Sequence, residues 1–294
     1  FTNSRINIEN FYGIEIDDFA VEVAILSMWI AKHQMNAEFA EKFGISIPLI
    51  PLKETGTILA GNAARLDWNT VCPNNGTDEI YLISNPPYVG SSMQTAEQKA
   101  EIQELEGHPG LSTNLDYIAI WFIKGTDYIR STKAQLAFVS TNSVTQGDHV
   151  ALMFPSILSG NIEISYAYTS FKWENSAKYN AGVTVVVIGL RNLTTDPKFI
   201  FHDDIRIQAS NINAYLADAE DIILGRLGQP ISPSLPPMTR GSQPTDGGNF
   251  VLSPKEAKSL LSEYPQAEKF LKKYAGAADF IRNEERYCLW IEDS

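Results

Sequence analysis

EIYLISNPPYVG, residues 79–90, carries a short apolar run straight into two prolines and a tyrosine. The run 79–84 reads as a buried strand, and Pro86 and Pro87 stop it, because proline removes a ladder hydrogen bond. The corner that follows is stiff, has few backbone donors and leaves carbonyls without partners. An exocyclic amine or a carboxamide has two N–H groups that need acceptors. The Asn85 side-chain oxygen and the Pro86 carbonyl would accept them. Doing so favours a pyramidal nitrogen, localises its lone pair and aims it at an electrophile, while Tyr88 stacks on the flat group.

Working outward from this corner, strands alternate with helices. Upstream, Phe11 to Ile16 reads as a strand. Asp17 or Asp18 caps the helix after it, in which Val21, Ala24, Ile25, Met28 and Trp29 recur at helical spacing. GTILAGNAARLDW (56–68) offers a second strand with a loop ending at Asp67 and Trp68. Downstream, residues 91–107 read as a polar loop with a charged helix. Residues 115–132 read as a helix with Tyr117, Ile120, Trp121 and Lys124 along one side. A strand over 134–144, a helix over 149–158 and two hairpin-forming strands over 161–171 and 182–190 complete the pattern. Such alternation predicts an α/β fold with a mostly parallel sheet and an antiparallel strand at one edge.

In such sheets ligands bind at the carboxyl ends of the strands, and three of those ends carry Glu15, Asp67 and Asn85. A carboxylate placed there can accept both hydroxyls of a ribose.

The texture changes after about residue 195. Residues 227–250 are rich in Pro, Gly and Ser and read as a linker. Residues 253–283 read as helical and amphipathic, with Ser253 and Glu256 forming a capping box. Lys258, Lys269, Lys272, Lys273, Arg282 and Arg286 gather in this last region. A chain of 294 residues with 44% hydrophobic and 20% charged content fits one large domain and a smaller one. The division is expected as 1–195 and 196–294. The net charge of −12 argues against coating nucleic acid non-specifically and leaves room for a local basic cleft. Cys72 and Cys288 cannot build a disulfide framework, and no metal-type Cys/His cluster accompanies them. A reducing cytoplasm without membrane attachment is the expected setting, and no metal is expected.

FYGIEIDDFAVEVAILSMWIAKHQMN, ISNPPYVG, FKWENSAKYNAGVTVVVIGL and the terminal LSPKEAKSLL…FIRNEERYCLWI together resemble the MmeI-like adenine-specific DNA methyltransferases of combined restriction–modification enzymes. The resemblance runs over nearly the whole chain. It implies a Rossmann-like, S-adenosylmethionine-dependent methyltransferase fold followed by the start of a target-recognition domain, and methyl transfer to adenine N6. On the matching positions, Glu15 would bind the cofactor ribose and Asp67, with Leu66 or Trp68 nearby, its adenine edge, and Ile16 counts among the cofactor-binding residues. Asn85, Pro86, Pro87 and Tyr88 would hold the target adenine, flipped out of double-stranded DNA. A second aromatic would face that base from the segment holding Phe171, Trp173 and Tyr179, with Phe171 preferred.

The family also carries a glycine-rich turn after a central first strand. No GxG lies between Phe1 and Gly13, so the chain reads as an N-terminally shortened fragment. A gap is expected between the GIEID and NPPY strands, with weak cofactor binding and no activity for the fragment alone. No nuclease signature is present, since that domain also lies upstream in the combined enzymes. A methyltransferase for protein glutamine or RNA adenine, or a DNA-specificity module without catalysis, are the alternatives.

Overall fold

The computed structural model describes residues 6–44, 56–105, 112–173, 183–225, 232, 234 and 247–291. The chain forms two compact units, Phe1–Arg226 and Leu227–Ser294. The division expected after residue 195 falls between two strands of one sheet, and the units part only at residues 226 and 227.

In the first unit, β1 (Tyr12–Glu15) pairs in parallel with β2 (Thr57–Ala60) as a two-stranded sheet. Between them runs α1 (Asp18–Phe43), capped by Asp17, whose carboxylate accepts the N–H groups of Phe19 and Ala20. Val21 is buried on α1 and Ala24, Ile25, Met28 and Trp29 are half-covered, which is the face expected from the spacing.

A six-stranded sheet follows, in the order β3 (Tyr81–Ser84), β4 (Gln135–Thr141), β6 (Thr184–Asn192), β5 (Ile162–Lys172), β7 (Lys198–His202), β8 (Ile205–Ala209). β3 and β4 pair in parallel, as do β5 and β7, while β6 and β8 run antiparallel to their neighbours. The expected antiparallel edge strand exists, but it is β8. β6, expected at the edge with β5, lies inside the sheet because β7 and β8 extend it.

Among the described residues β1 and β3 do not pair with each other, so the parallel strands fall into two sheets, and neither strand has a ladder on its second side. This corrects the reading of 79–84 as buried. β3 is laddered on one side only, and Tyr81 and Ile83 are 65% and 80% exposed.

The core lies between the six-stranded sheet and α4 (Ala119–Ile129), which packs on β4 and β6, with α5 (Gly147–Ile157) packed against α4. Ile118, Ile120, Phe122, Ile123 and Ile129 are buried there, each stabilising by about 1.5–3 kcal/mol. Leu136, Phe138 and Ser140 alternate inward along β4, the period-two pattern of a strand with one covered face. A Cβ at Gly125 would come within 2.8 Å of Leu136, so glycine is what lets α4 approach β4 this closely. Across β5, β6 and β7, the buried Glu163 accepts from Arg191 at 2.8 Å and pairs with Lys198 at 2.9 Å.

In the second unit, α6 (Pro254–Glu263) starts with the expected Ser253–Glu256 capping box. The helical reading of 253–283 fails beyond it. Pro265 cannot continue α6, and Leu271–Tyr274 becomes β10, antiparallel to β11 (Arg286–Leu289), which also pairs with β9 (Val251–Leu252). A short α7 (Ala277–Arg282) links β10 to β11. No helix among the described residues is long and apolar enough to cross a membrane, and none of them form a group suited to hold a metal.

Candidate functional site

Glu15 is the last residue of β1, exposed, and registered opposite Ala60 at the end of β2. Its carbonyl accepts the Gly61 N–H at 2.7 Å, so the loop leaving β2 starts against it. A Cβ on Gly61 would lie 2.7 Å from Leu66 Cδ1, so a larger residue there would make the Leu66 side chain shift. Asp67 ends the loop as N-cap of α2 (Trp68–Val71), accepting from Asn69 N–H at 3.0 Å. Glu15 and Asp67 are both exposed, and Ile16, 77% exposed, adds an apolar surface just past Glu15. Leu66 is half-buried. Trp68 turns inward, donating its indole N–H to Ala63 O at 2.9 Å, and belongs to the core.

At the end of β3, Asn85 and Pro87 are exposed, Pro86 is buried, and Tyr88 is half-buried against the core. Among the described residues the Pro86 carbonyl receives no backbone hydrogen bond. The corner is fixed just beyond Tyr88. Val89 N–H donates to Asp116 Oδ1 at 2.9 Å, and Val89 O accepts from Tyr117 N–H at 3.0 Å and from Gln94 Nε2 at 2.9 Å. Gln94 Nε2 also reaches Leu115 O, and the Asp116 N–H donates to His149 Nε2 at 3.1 Å. Burial holds the Asp116 carboxyl above its ordinary pKa and the His149 imidazole below its own.

A second set of bonds holds the loop of Asp67. Glu101, on α3 (Ala96–Glu104), accepts from Asn62 Nδ2 at 2.7 Å, from Arg65 Nε at 2.8 Å and from the Tyr117 hydroxyl. Burial, then Glu101, raise the Tyr117 pKa. Lys124 Nζ donates to Ala64 O at 2.9 Å and Leu66 O at 2.6 Å, 5.6 Å from the centre of the Trp68 ring. Burial lowers the Lys124 pKa, and Asp67 partly offsets it.

Phe171 lies near the end of β5, half-buried, its ring 6.4 Å from that of Trp173. β5 runs in the same direction as β3, so Phe171 and Asn85 share one edge of the sheet. β4 and β6 stand between them, a separation of roughly 14 Å at ordinary strand spacing. Tyr179 lies outside the described residues.

The structure thus brings Glu15 and the Asp67 loop together directly, and joins that loop to the Asn85 corner by hydrogen bonds through Tyr117. Glu101, Gln94, Asp116 and His149 escaped the sequence reading. Only the seven-residue spacing of Tyr117 and Lys124 on one helical side hinted that α4 faces the site.

A parallel strand ending in Glu15, a neighbouring loop ending in Asp67 and an Asn-Pro-Pro-Tyr corner past a third strand belong to a Rossmann-like methyltransferase domain. The particular family follows from sequence. Residues 2–202 match the family described as MmeI, DNA-methyltransferase domain, and residues 218–294 match MmeI, target recognition domain. The chain belongs to the MmeI family of DNA methyltransferases. It is 42% identical over 291 residues to DNA methyltransferase A of Bacillus subtilis (strain 168), covering 98% of this chain and 33% of that protein. It also resembles the type IIL restriction–modification enzyme MmeI solved in complex with DNA, with a TM-score of 0.86 and 38% identity. That match covers 99% of this chain and 39% of MmeI. The chain therefore spans about a third of the curated relative it matches.

Proposed function

We propose that this chain supplies the methyl-transfer face and the beginning of the sequence-reading region of an S-adenosylmethionine-dependent adenine-N6 DNA methyltransferase of a restriction–modification system. The observation that carries the reading is the corner at 85–88: an exposed Asn85 beside a Pro86 carbonyl without a backbone partner among the described residues, at the end of a parallel strand.

The cofactor supplies an electrophilic methyl group on a sulfonium. The residues present fit it. Glu15 would accept the ribose hydroxyls, Ile16 and Leu66 would flank the purine, and Asp67 would accept from its amino group. Trp68 would act from beneath, stiffening the loop rather than touching the ligand. Asn85 Oδ1 and the Pro86 carbonyl would accept the two amino hydrogens of a flipped adenine, with Pro87 stiffening the corner, Tyr88 on one ring face and Phe171 the candidate for the other. As positive charge develops on the amino nitrogen, these fixed acceptors stabilise it without reorganising.

The test is methyl incorporation from labelled S-adenosylmethionine by the full-length protein into duplex DNA, with RNA and a glutamine-bearing protein as parallel acceptors. DNA labelled at adenine N6 is expected. Asn85→Ala should lower the rate by about 10²–10³-fold. Transfer to RNA or protein alone would replace this reading with another methyltransferase, and salt-dependent DNA binding without transfer would replace it with a specificity module.

A further inference from the structure

The loop of Asp67 and the corner of Asn85 leave different strands of different sheets, yet both are fastened to the same few residues at the head of α4. Asp116 Oδ1 takes the Val89 N–H and the neighbouring Tyr117 N–H binds Val89 O. The Tyr117 hydroxyl binds Glu101, which holds Asn62 and Arg65. One turn and more along, Lys124 binds the carbonyls of Ala64 and Leu66. Behind these contacts α4 and its N-cap are packed into the core, with Ile118, Ile120 and Phe122 fully buried.

We propose that Tyr117, Asp116 and Lys124 are positioning residues that set the distance between the cofactor loop 61–67 and the target-base corner 85–89. The proposal rests on the methyl-transfer reading above. Group transfer needs donor carbon and acceptor nitrogen held within a few tenths of an ångström of an in-line approach, and a misplacement of about 1 Å can cost about 10²-fold in rate. Among the described residues no backbone ladder joins β1 to β3, and the side-chain fastenings at the head of α4 tie the two segments to one frame.

Three variants of the full-length protein test this. Tyr117→Phe removes one hydroxyl while keeping the ring that packs edge-on to Trp121 at 5.3 Å and the N–H on Val89. Lys124→Met removes the clamp on Ala64 and Leu66. Arg65→Met breaks the same chain from an exposed position, where loss of folding is not at issue. Single-turnover methyl transfer is expected to slow by about 10–100-fold in Tyr117→Phe and Lys124→Met, and less in Arg65→Met. KM for cofactor and for DNA should stay within about threefold, the signature of an interaction felt at the transition state alone. Adding Arg65→Met to Tyr117→Phe should slow transfer little further, because both cut one chain.

An unchanged rate in Tyr117→Phe and Lys124→Met would overturn the proposal while leaving the methyltransferase reading intact. So would a rate loss matched by an equal rise in KM, which marks ordinary binding residues. A wild-type protein that transfers no methyl group would overturn both.

Discussion

At the corner Asn85 is exposed and the Pro86 carbonyl has no backbone partner among the described residues, whereas Asp116 and His149 beyond it are tied to their neighbours by hydrogen bonds. His149 illustrates the second kind. Its Nε2 accepts the Asp116 N–H, which only a neutral ring can do, and burial already pushes its pKa below the ordinary value while Asp116 and Asp148 pull the other way. Nitrogen-detected NMR at pH 6.5 is expected to find His149 mostly unprotonated with the proton on Nδ1. A doubly protonated ring at that pH would mean that the Asp116 N–H has lost its partner. The corner itself was legible because its chemistry is local: four consecutive residues declare a turn with spare acceptors. Glu101 was not, since its partners lie 39, 36 and 16 residues away and only the folded chain assembles them.

At the scale of elements, the hairpin of β5 and β6 and the strand β7 are bound by a buried charge cluster. Burial pushes the Glu163 carboxyl up, but hydrogen bonds from Arg191 and Lys198 outweigh this and hold its pKa below the ordinary carboxylate range near 4.5. The folded state therefore binds the proton less well than the unfolded chain. The stabilisation is full above about pH 5 and is lost as the pH falls through the depressed pKa. Glu163→Gln should cost about 3 kcal/mol near neutral pH, because Arg191 and Lys198 are left buried without their counter-charge. Its urea midpoint should also depend less on pH between about 5 and 3 than that of the parent. Equal acid sensitivity of the two proteins would remove Glu163 from the account. Elements with a clear start signal were read well, such as α1 after Asp17 and α6 after Ser253. LKKY at 271–274 was misread because two lysines at neighbouring positions suit a wet helix face as well as a strand, and only pairing with β11 decides.

For the molecule as a whole, the weak point is the division of the sheet. α1 spans 26 residues but buries only Val21 fully, leaving Phe19, Leu26 and Met35 largely in solvent. β1 and β3 each keep one edge without a ladder among the described residues. Glu15 stands at the end of one such strand and Asn85 just past the other, so both candidate residues rest on strands with a bare edge. Amide hydrogen exchange in residues 1–294 is expected to be at least about tenfold faster in β1 and β3 than in β4 and β6, which are laddered on both sides. Equal protection of the four strands would mean that the open edges cost them nothing. The composition and alternation of the chain reveal an α/β fold, but a partition of the sheet leaves no local trace: YLIS looks the same whether one neighbour or two flank it.

Those bare strand flanks also make the unit prone to self-association. A row of backbone N–H and C=O groups without a ladder is a template for strand addition, so a second copy of the polypeptide can lie against it. Residues 1–294 are therefore expected to self-associate as their concentration rises, and a light-scattering mass that stays monomeric throughout would show that these flanks are covered.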